Sequence, residues 1–267
     1  MSSTPDALWS APSLRVLRPA AVSWTALRRG RLLDGCTLSV PAGMRLLVVG
    51  EPEASASLLI RVLAGLSRPR RGRVEIAGLT DPSASGWGRR VAHLGPDPGI
   101  PSWMTPREVL ALAAGLLDLS SADAARRAES VLAWARIRPE WLDRPVRHGG
   151  PPLLQRTALA AALLADPEVV LLDEPLRALE ADERTRLLRF PGRRRTVILA
   201  SRYPASEAGL VSHVALLRDG RVAMLAAVAD LEAAGLPLST RGIDALAERR
   251  ASTPPPTDVG RPAVASR

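Results

Sequence analysis

Short apolar runs rich in Val, Ile and Leu alternate with longer stretches of helical periodicity. This confines the chain to an α/β fold with a largely parallel sheet. The predicted strands are residues 45–50, 73–76, 90–94, 169–173, 196–201 and 214–218. Helices are predicted to start near Ser55, Pro106, Ser121, Leu153, Ala181 and Ala227. Pro106 follows Thr105, an N-cap residue before a proline at the first helical position. Residues 106–152 read almost entirely as helix and loop between two strands, so a helical subdomain is expected on the α/β core. The domain is expected over 10–249, after an N-terminal extension at 1–9. From Arg250 the composition turns to Ser, Thr, Pro and Gly, and residues 250–267 are expected to be a disordered tail.

Composition narrows the function classes. The 267 residues suffice to bury a full core, and 46% are hydrophobic. The net charge is +9, and all 36 basic residues are arginine. No chemistry that needs a lysine ammonium is open to this chain. Arginine clusters at 68–73 and 193–195 are not interleaved with stacking aromatics, so no nucleic-acid partner is expected. The single cysteine, Cys36, excludes an internal disulfide and fits a reducing cytoplasm. No apolar stretch reaches the roughly 18–20 residues that span a bilayer, and the first residues lack the pattern of a signal peptide.

The strand at 169–173 ends in Asp173 and Glu174. Such a strand end can set a Mg²⁺-directing carboxylate beside one that orients an attacking water; it can equally close an ordinary strand in an acidic turn. Its neighbours in sequence favour the first reading. Residues 155–164 resemble the helix that follows the signature sequence of ABC ATPases, and Leu176, Arg177, Ala178, Leu179 and Glu180 resemble their D-loop. Residues 196–201 resemble the switch strand, 214–222 the late hairpin, and 63–66 the end of the P-loop helix. In order and spacing, residues 10–235 resemble the ATP-binding subunit of an ABC transporter. Residues 99–108 resemble the stretch after the Q-loop in exporter-type subunits.

The resemblance implies a P-loop NTPase-like core with an inserted helical subdomain, ATP and Mg²⁺ as ligands, and a place at the cytoplasmic face of a membrane. At the positions that carry the chemistry, the chain departs from the family. The phosphate loop G-x-x-x-x-G-K-[ST] appears as Gly50, Glu51, Pro52, Glu53, Ala54, Ser55, Ala56 and Ser57. Ser55 stands for the second glycine and Ala56 for the lysine that meets the β/γ-phosphates. Glu51 and Glu53 add negative charge where phosphates would sit. A unit-charge contact near 4 Å is worth roughly 1–4 kcal/mol, so the reversal is expected to cost several kcal/mol, or a few powers of ten in affinity. Ser57 and Asp173 hold the Mg²⁺ positions. Pro96 falls at the Q-loop glutamine and Arg202 at the switch histidine, whose role none of the three histidines can take by position. The signature falls on Gly149, Gly150, Pro151, Pro152 and Leu153, where two prolines remove backbone N–H donors. Trp24 is the candidate for stacking on adenine; packing in the core is its other reading.

The expected function is a pseudo-ATPase: a structural or regulatory cassette subunit with lost or very weak ATP binding. It would dock a membrane-spanning subunit near Trp103, Met104 and Trp141, with an active ATPase partner or a second copy. One alternative is a weak ATPase using Asp173 and Glu174 as metal ligand and base, with Arg202 on the γ-phosphate. Another is a soluble interaction module without a transport role.

Overall fold

The computed structural model describes residues 20–84, 86–190 and 195–252. The N-terminal extension, the tail from 253 and Arg193 and Arg194 of the second arginine cluster lie outside them.

A three-stranded antiparallel sheet is built from β1 (Ala20–Arg29), β2 (Leu33–Pro41) and β4 (Arg71–Ile76), in the order β2-β1-β4. Neither β1 nor β2 was expected from the sequence. Gly35 interrupts β2, and the β1–β2 register shifts at Trp24/Leu27, so neither strand alternates cleanly. The larger sheet contains β3 (Arg45–Glu51), β5 (Val91–Leu94), β6 (Val169–Asp173), β7 (Thr196–Ala200), β8 (His213–Arg218) and β9 (Arg221–Ala227). Its order is β5-β6-β7-β3-β8-β9, parallel except for the β8–β9 hairpin. Every residue of β6 and β7 is buried, which is why both read as unbroken apolar runs.

Helices flank the sheet. They are α1 (Ala54–Leu63), α2 (Trp87–Arg90), α3 (Pro106–Leu116), α4 (Ser121–Ala135), α5 (Gly150–Leu163), α6 (Ala181–Leu188), α7 (Val228–Ala233) and α8 (Thr240–Ser252). Thr105 caps α3 through a reciprocal capping box with Glu108. Helix α5 begins at Gly150, three residues before the expected start, because Pro151 and Pro152 fit a first turn whose N–H groups have no helical partner anyway. Helix α8 was not expected, and it carries helical structure past Arg250, where the tail was expected to begin. Helices α3, α4 and α5 share a separate core that includes Leu110, Ala135, Leu153 and Ala160.

Candidate functional site

The carboxyl ends of β3, β6 and β7 bring together the segments in which chemistry was expected. The loop after β3 folds tightly onto the start of α1. Ser55 N–H donates to the Pro52 carbonyl at 2.9 Å and Ala56 N–H to the Glu53 carbonyl at 3.2 Å. Two backbone donors at the phosphate-loop positions are thus used inside the loop. A Cβ at Gly50 would lie 2.8 Å from the Ala56 nitrogen, so only glycine permits this closure. Ala56, at the lysine position, lies in the first turn of α1, is 4% exposed and packs in the core. Glu51 points away and pairs with Arg218 at 2.6 Å, and Arg218 reaches Asp244 on α8 at 3.1 Å. Glu53 is exposed and makes no capping bond to α1.

Ser57 and Asp173 do meet: the Ser57 hydroxyl donates to Asp173 Oδ1 at 2.8 Å. This pair fits a hard cation's ligands, but the loop beside it does not fit a triphosphate. Its lysine position is apolar and buried, its donors face inward, and its exposed charges are carboxylates. Among the described residues, no cluster of three or more His, Cys, Asp or Glu side chains is arranged to hold a metal ion.

Glu174 follows β6 with φ +46°, its N–H bonded to the Ala200 carbonyl at 3.1 Å. Its carboxylate is nearly buried and fully engaged. Arg177 Nε donates to Oε2 at 2.9 Å, the Arg202 backbone N–H donates to Oε1, and the Arg202 guanidinium stands 3.6 Å from Oε1. Arg177 also donates to Ser201 at 2.6 Å and pairs with Glu207 at 3.1 Å. Glu207 is completely buried and takes both oxygens' worth of contact from Arg184 at 2.8 Å. Arg177 and Arg202 lie over the Tyr203 ring at 5.2 and 5.8 Å. Arg202, at the switch-histidine position, faces this carboxylate and ring. Arg184 and Glu207 carried no sequence signal beyond their charge, because they meet across the fold, and the D-loop resemblance at Arg177 gave no sign of its contacts with Ser201 and Glu207.

The remaining positions are dispersed. Trp24 is 1% exposed and its indole N–H donates to Cys36 Sγ at 3.2 Å, so it packs and does not stack on a base. Burial pushes the Cys36 thiol up to about 11. Pro96 lies exposed beyond β5. Pro151 and Pro152 are exposed in the first turn of α5, while Leu153 is buried against Gly149. Gln155 accepts from the Ala178 N–H at 2.9 Å, tying α5 to the loop after Glu174.

Between β5 and the helical subdomain lies a groove of about 280 Å³, lined by Gly95, Asp97, Ile100, Val109, Leu112 and Leu116 among others. Leu112 and Leu116 are 55% and 77% exposed on α3. The expected docking residues differ: Trp141 packs into the helical subdomain's core and Trp103 stands exposed outside the groove lining. His93 also lines the groove, and burial lowers its pKa despite the nearby Asp173.

Comparison with known proteins places this geometry. The aliphatic sulfonates import ATP-binding protein of Rhizobium johnstonii is 32% identical over 225 residues, covering 80% of each chain. The cobalt import ATP-binding protein of Rhodobacter capsulatus is 33% identical, covering 72% of this chain and 71% of its own. An ATP-binding subunit of an ABC transporter of known structure matches with a TM-score of 0.72 at 24% identity, over 87% of this chain and all of that one. The relatives named here are import subunits, which lends no support to the exporter-type reading of residues 99–108. The sequence model of the ABC transporter family matches residues 33–177, and with the cassette fold around the Ser57–Asp173 pair it follows that the chain belongs to the ABC transporter family, as one of its ATP-binding domains.

Proposed function

We propose that this cassette is a structural or regulatory subunit of a membrane transporter, with little or no capacity to hold Mg-ATP at its own phosphate loop. The observation that carries this reading is the loop's internal closure: the Ser55 and Ala56 N–H groups are spent on Pro52 and Glu53, and Ala56 lies in the core. Rebuilding a cradle would require breaking two hydrogen bonds, at about 1 kcal/mol each, before any phosphate is met by the exposed Glu53. A helix N-terminus alone offers too little compensation.

The groove beside α3 is the surface by which a membrane-spanning subunit would dock, its exposed Leu112 and Leu116 flanked by the acidic Asp97. The chain would then sit at the cytoplasmic face, paired with a second copy or an active cassette. The names of the relatives favour import as the direction of transport. The weak-ATPase alternative needs Glu174 free to orient water, whereas both of its oxygens accept from arginine groups.

The test is a titration of the purified protein with Mg-ATP up to millimolar concentration, read by calorimetry and thermal shift. The expected outcome is no heat of binding and no rise in Tm. Saturable binding, with a Tm rising as ligand occupancy requires, would overturn the reading and bring turnover through Asp173 and Glu174 back as the leading mechanism.

A further inference from the structure

We propose that the arginine-rich end of the small antiparallel sheet is a contact surface for the phosphate headgroups of an anionic bilayer. Two segments build it. The β1–β2 hairpin contributes Arg28, Arg29 and Arg31, and the run into β4 contributes Arg68, Arg70, Arg71 and Arg73, all seven of them exposed. The antiparallel register sets Arg28 directly opposite Arg71 and Thr25 opposite Arg73. Like charges facing across a ladder are destabilising. Gly72 lets the two backbones approach closely: a Cβ there would meet the Thr25 carbonyl at 2.5 Å and the Ala26 carbonyl at 2.7 Å. Hydrogen bonds lock the two segments together: the Arg70 N–H donates to the Arg28 carbonyl at 2.8 Å, and the Arg29 side chain donates through Nη1 to the Arg68 carbonyl at 2.8 Å.

Density of charge with little neutralisation marks this end. Several exposed arginines elsewhere are matched with carboxylates: Arg107 with Asp143, Arg126 with Asp123, Arg138 with Glu140 and Arg250 with Asp230. Here only Arg28 makes an ion pair among the described residues, with Asp34 at 3.2 Å, and Asp34 is shared with Arg221 at 4.0 Å. An open cleft of about 450 Å³ lies between Arg28, Gly30, Asp34, Arg70 and Arg71. No buried cation lines it, so it does not grip one small anion; a surface bearing many phosphates satisfies several guanidinium forks at once. Leu66, two residues before Arg68, is 58% exposed. An apolar side chain beside a basic run is the composition that settles at a headgroup boundary.

This inference rests on the reading that the chain works at a membrane, and it is independent of the state of the phosphate loop. The experiment is flotation of the full chain with phosphatidylcholine vesicles, with and without about 30 mol% phosphatidylglycerol, at low and high salt. Binding is expected only to the anionic vesicles and is expected to fall with salt. Arg70→Glu with Arg71→Glu is expected to weaken it at least about 30-fold, and Arg70→Gln with Arg71→Gln serves as the milder pair if the reversal impairs folding. Arg126→Glu with Arg138→Glu, on the helical subdomain, is expected to leave binding unchanged. Equal binding to neutral vesicles, or binding that survives both tip variants, would overturn the proposal. So would absence of vesicle binding together with tip-dependent binding of tripolyphosphate, which would make a soluble anion the ligand. Co-purification with a membrane-spanning subunit without vesicle binding would sink this inference while leaving the docking reading intact.

Discussion

At Glu174 and Leu176 the backbone adopts φ of +46° and +56°, conformations that cost roughly 1–2 kcal/mol each in residues other than glycine. Such strain persists only where the surroundings over-determine it. Here they do: Glu174 is bonded at its N–H and at both carboxylate oxygens. Glu174→Gln, the variant usually made to trap a catalytic carboxylate, is therefore expected to act on stability. Loss of the charge partner to Arg177 and Arg202 is expected to cost about 2 kcal/mol, since Arg177 keeps Glu207 and Arg202 can turn to solvent. Urea unfolding measures it, and a midpoint equal to wild type would show that the network carries no weight. At this scale the sequence was half legible. Asp173 and Glu174 stand in one contiguous motif, whereas Arg177 acts through Ser201, Ser206 and Glu207, 24–30 residues away.

Between elements, Glu183 on α6 is the main polar link to the helical subdomain. It accepts from Arg186 on its own helix at 2.7 Å, from Arg156 on α5 at 2.7 Å and from Arg136 after α4 at 3.2 Å. The Arg186 hydrogen bond first, and Arg156 after it, pull the Glu183 carboxyl down to about 2. Its contribution is thus complete above about pH 4.5 and is lost as pH falls towards 2. With Arg136 largely solvated, Glu183→Gln is expected to cost about 1–2 kcal/mol at neutral pH, measured by denaturant midpoint. Elements with strong period or caps, such as β6, β7 and α3, were readable in advance. Strands β1 and β2 were not, because bulges and Gly35 break their alternation, nor was α8, whose polar face dominates its composition.

For the whole molecule, protons couple to folding through the histidines. Burial lowers the pKa of both His93 on β5 and His213 on β8, the pull of Asp173 and Asp230 being weaker. Each therefore binds a proton more readily in the unfolded chain, near pH 6.5. Their contribution is complete above that pH and declines below it. The denaturant midpoint is expected to drop between pH 7.5 and 5.5 and to drop less in His93→Gln; a flat profile would contradict the burial argument. Strand order β5-β6-β7-β3-β8-β9 was not readable from the runs alone, because nothing local to β3 says that it inserts between β7 and β8. Likewise the phosphate loop could be read as chemically altered, but its inward folding depends on Pro52 and Glu53 carbonyls that any sequence would offer.

Cys36 has a practical corollary. The chain's sole thiol is fully buried under Trp24 and held as a neutral thiol, and there is no lysine in the sequence. A cysteine introduced on the surface would then be the one thiolate available to a maleimide at neutral pH, with no native side-chain amine competing. Spectroscopic labels can therefore be placed singly at the arginine-rich sheet end or beside Leu112 without first removing any native residue.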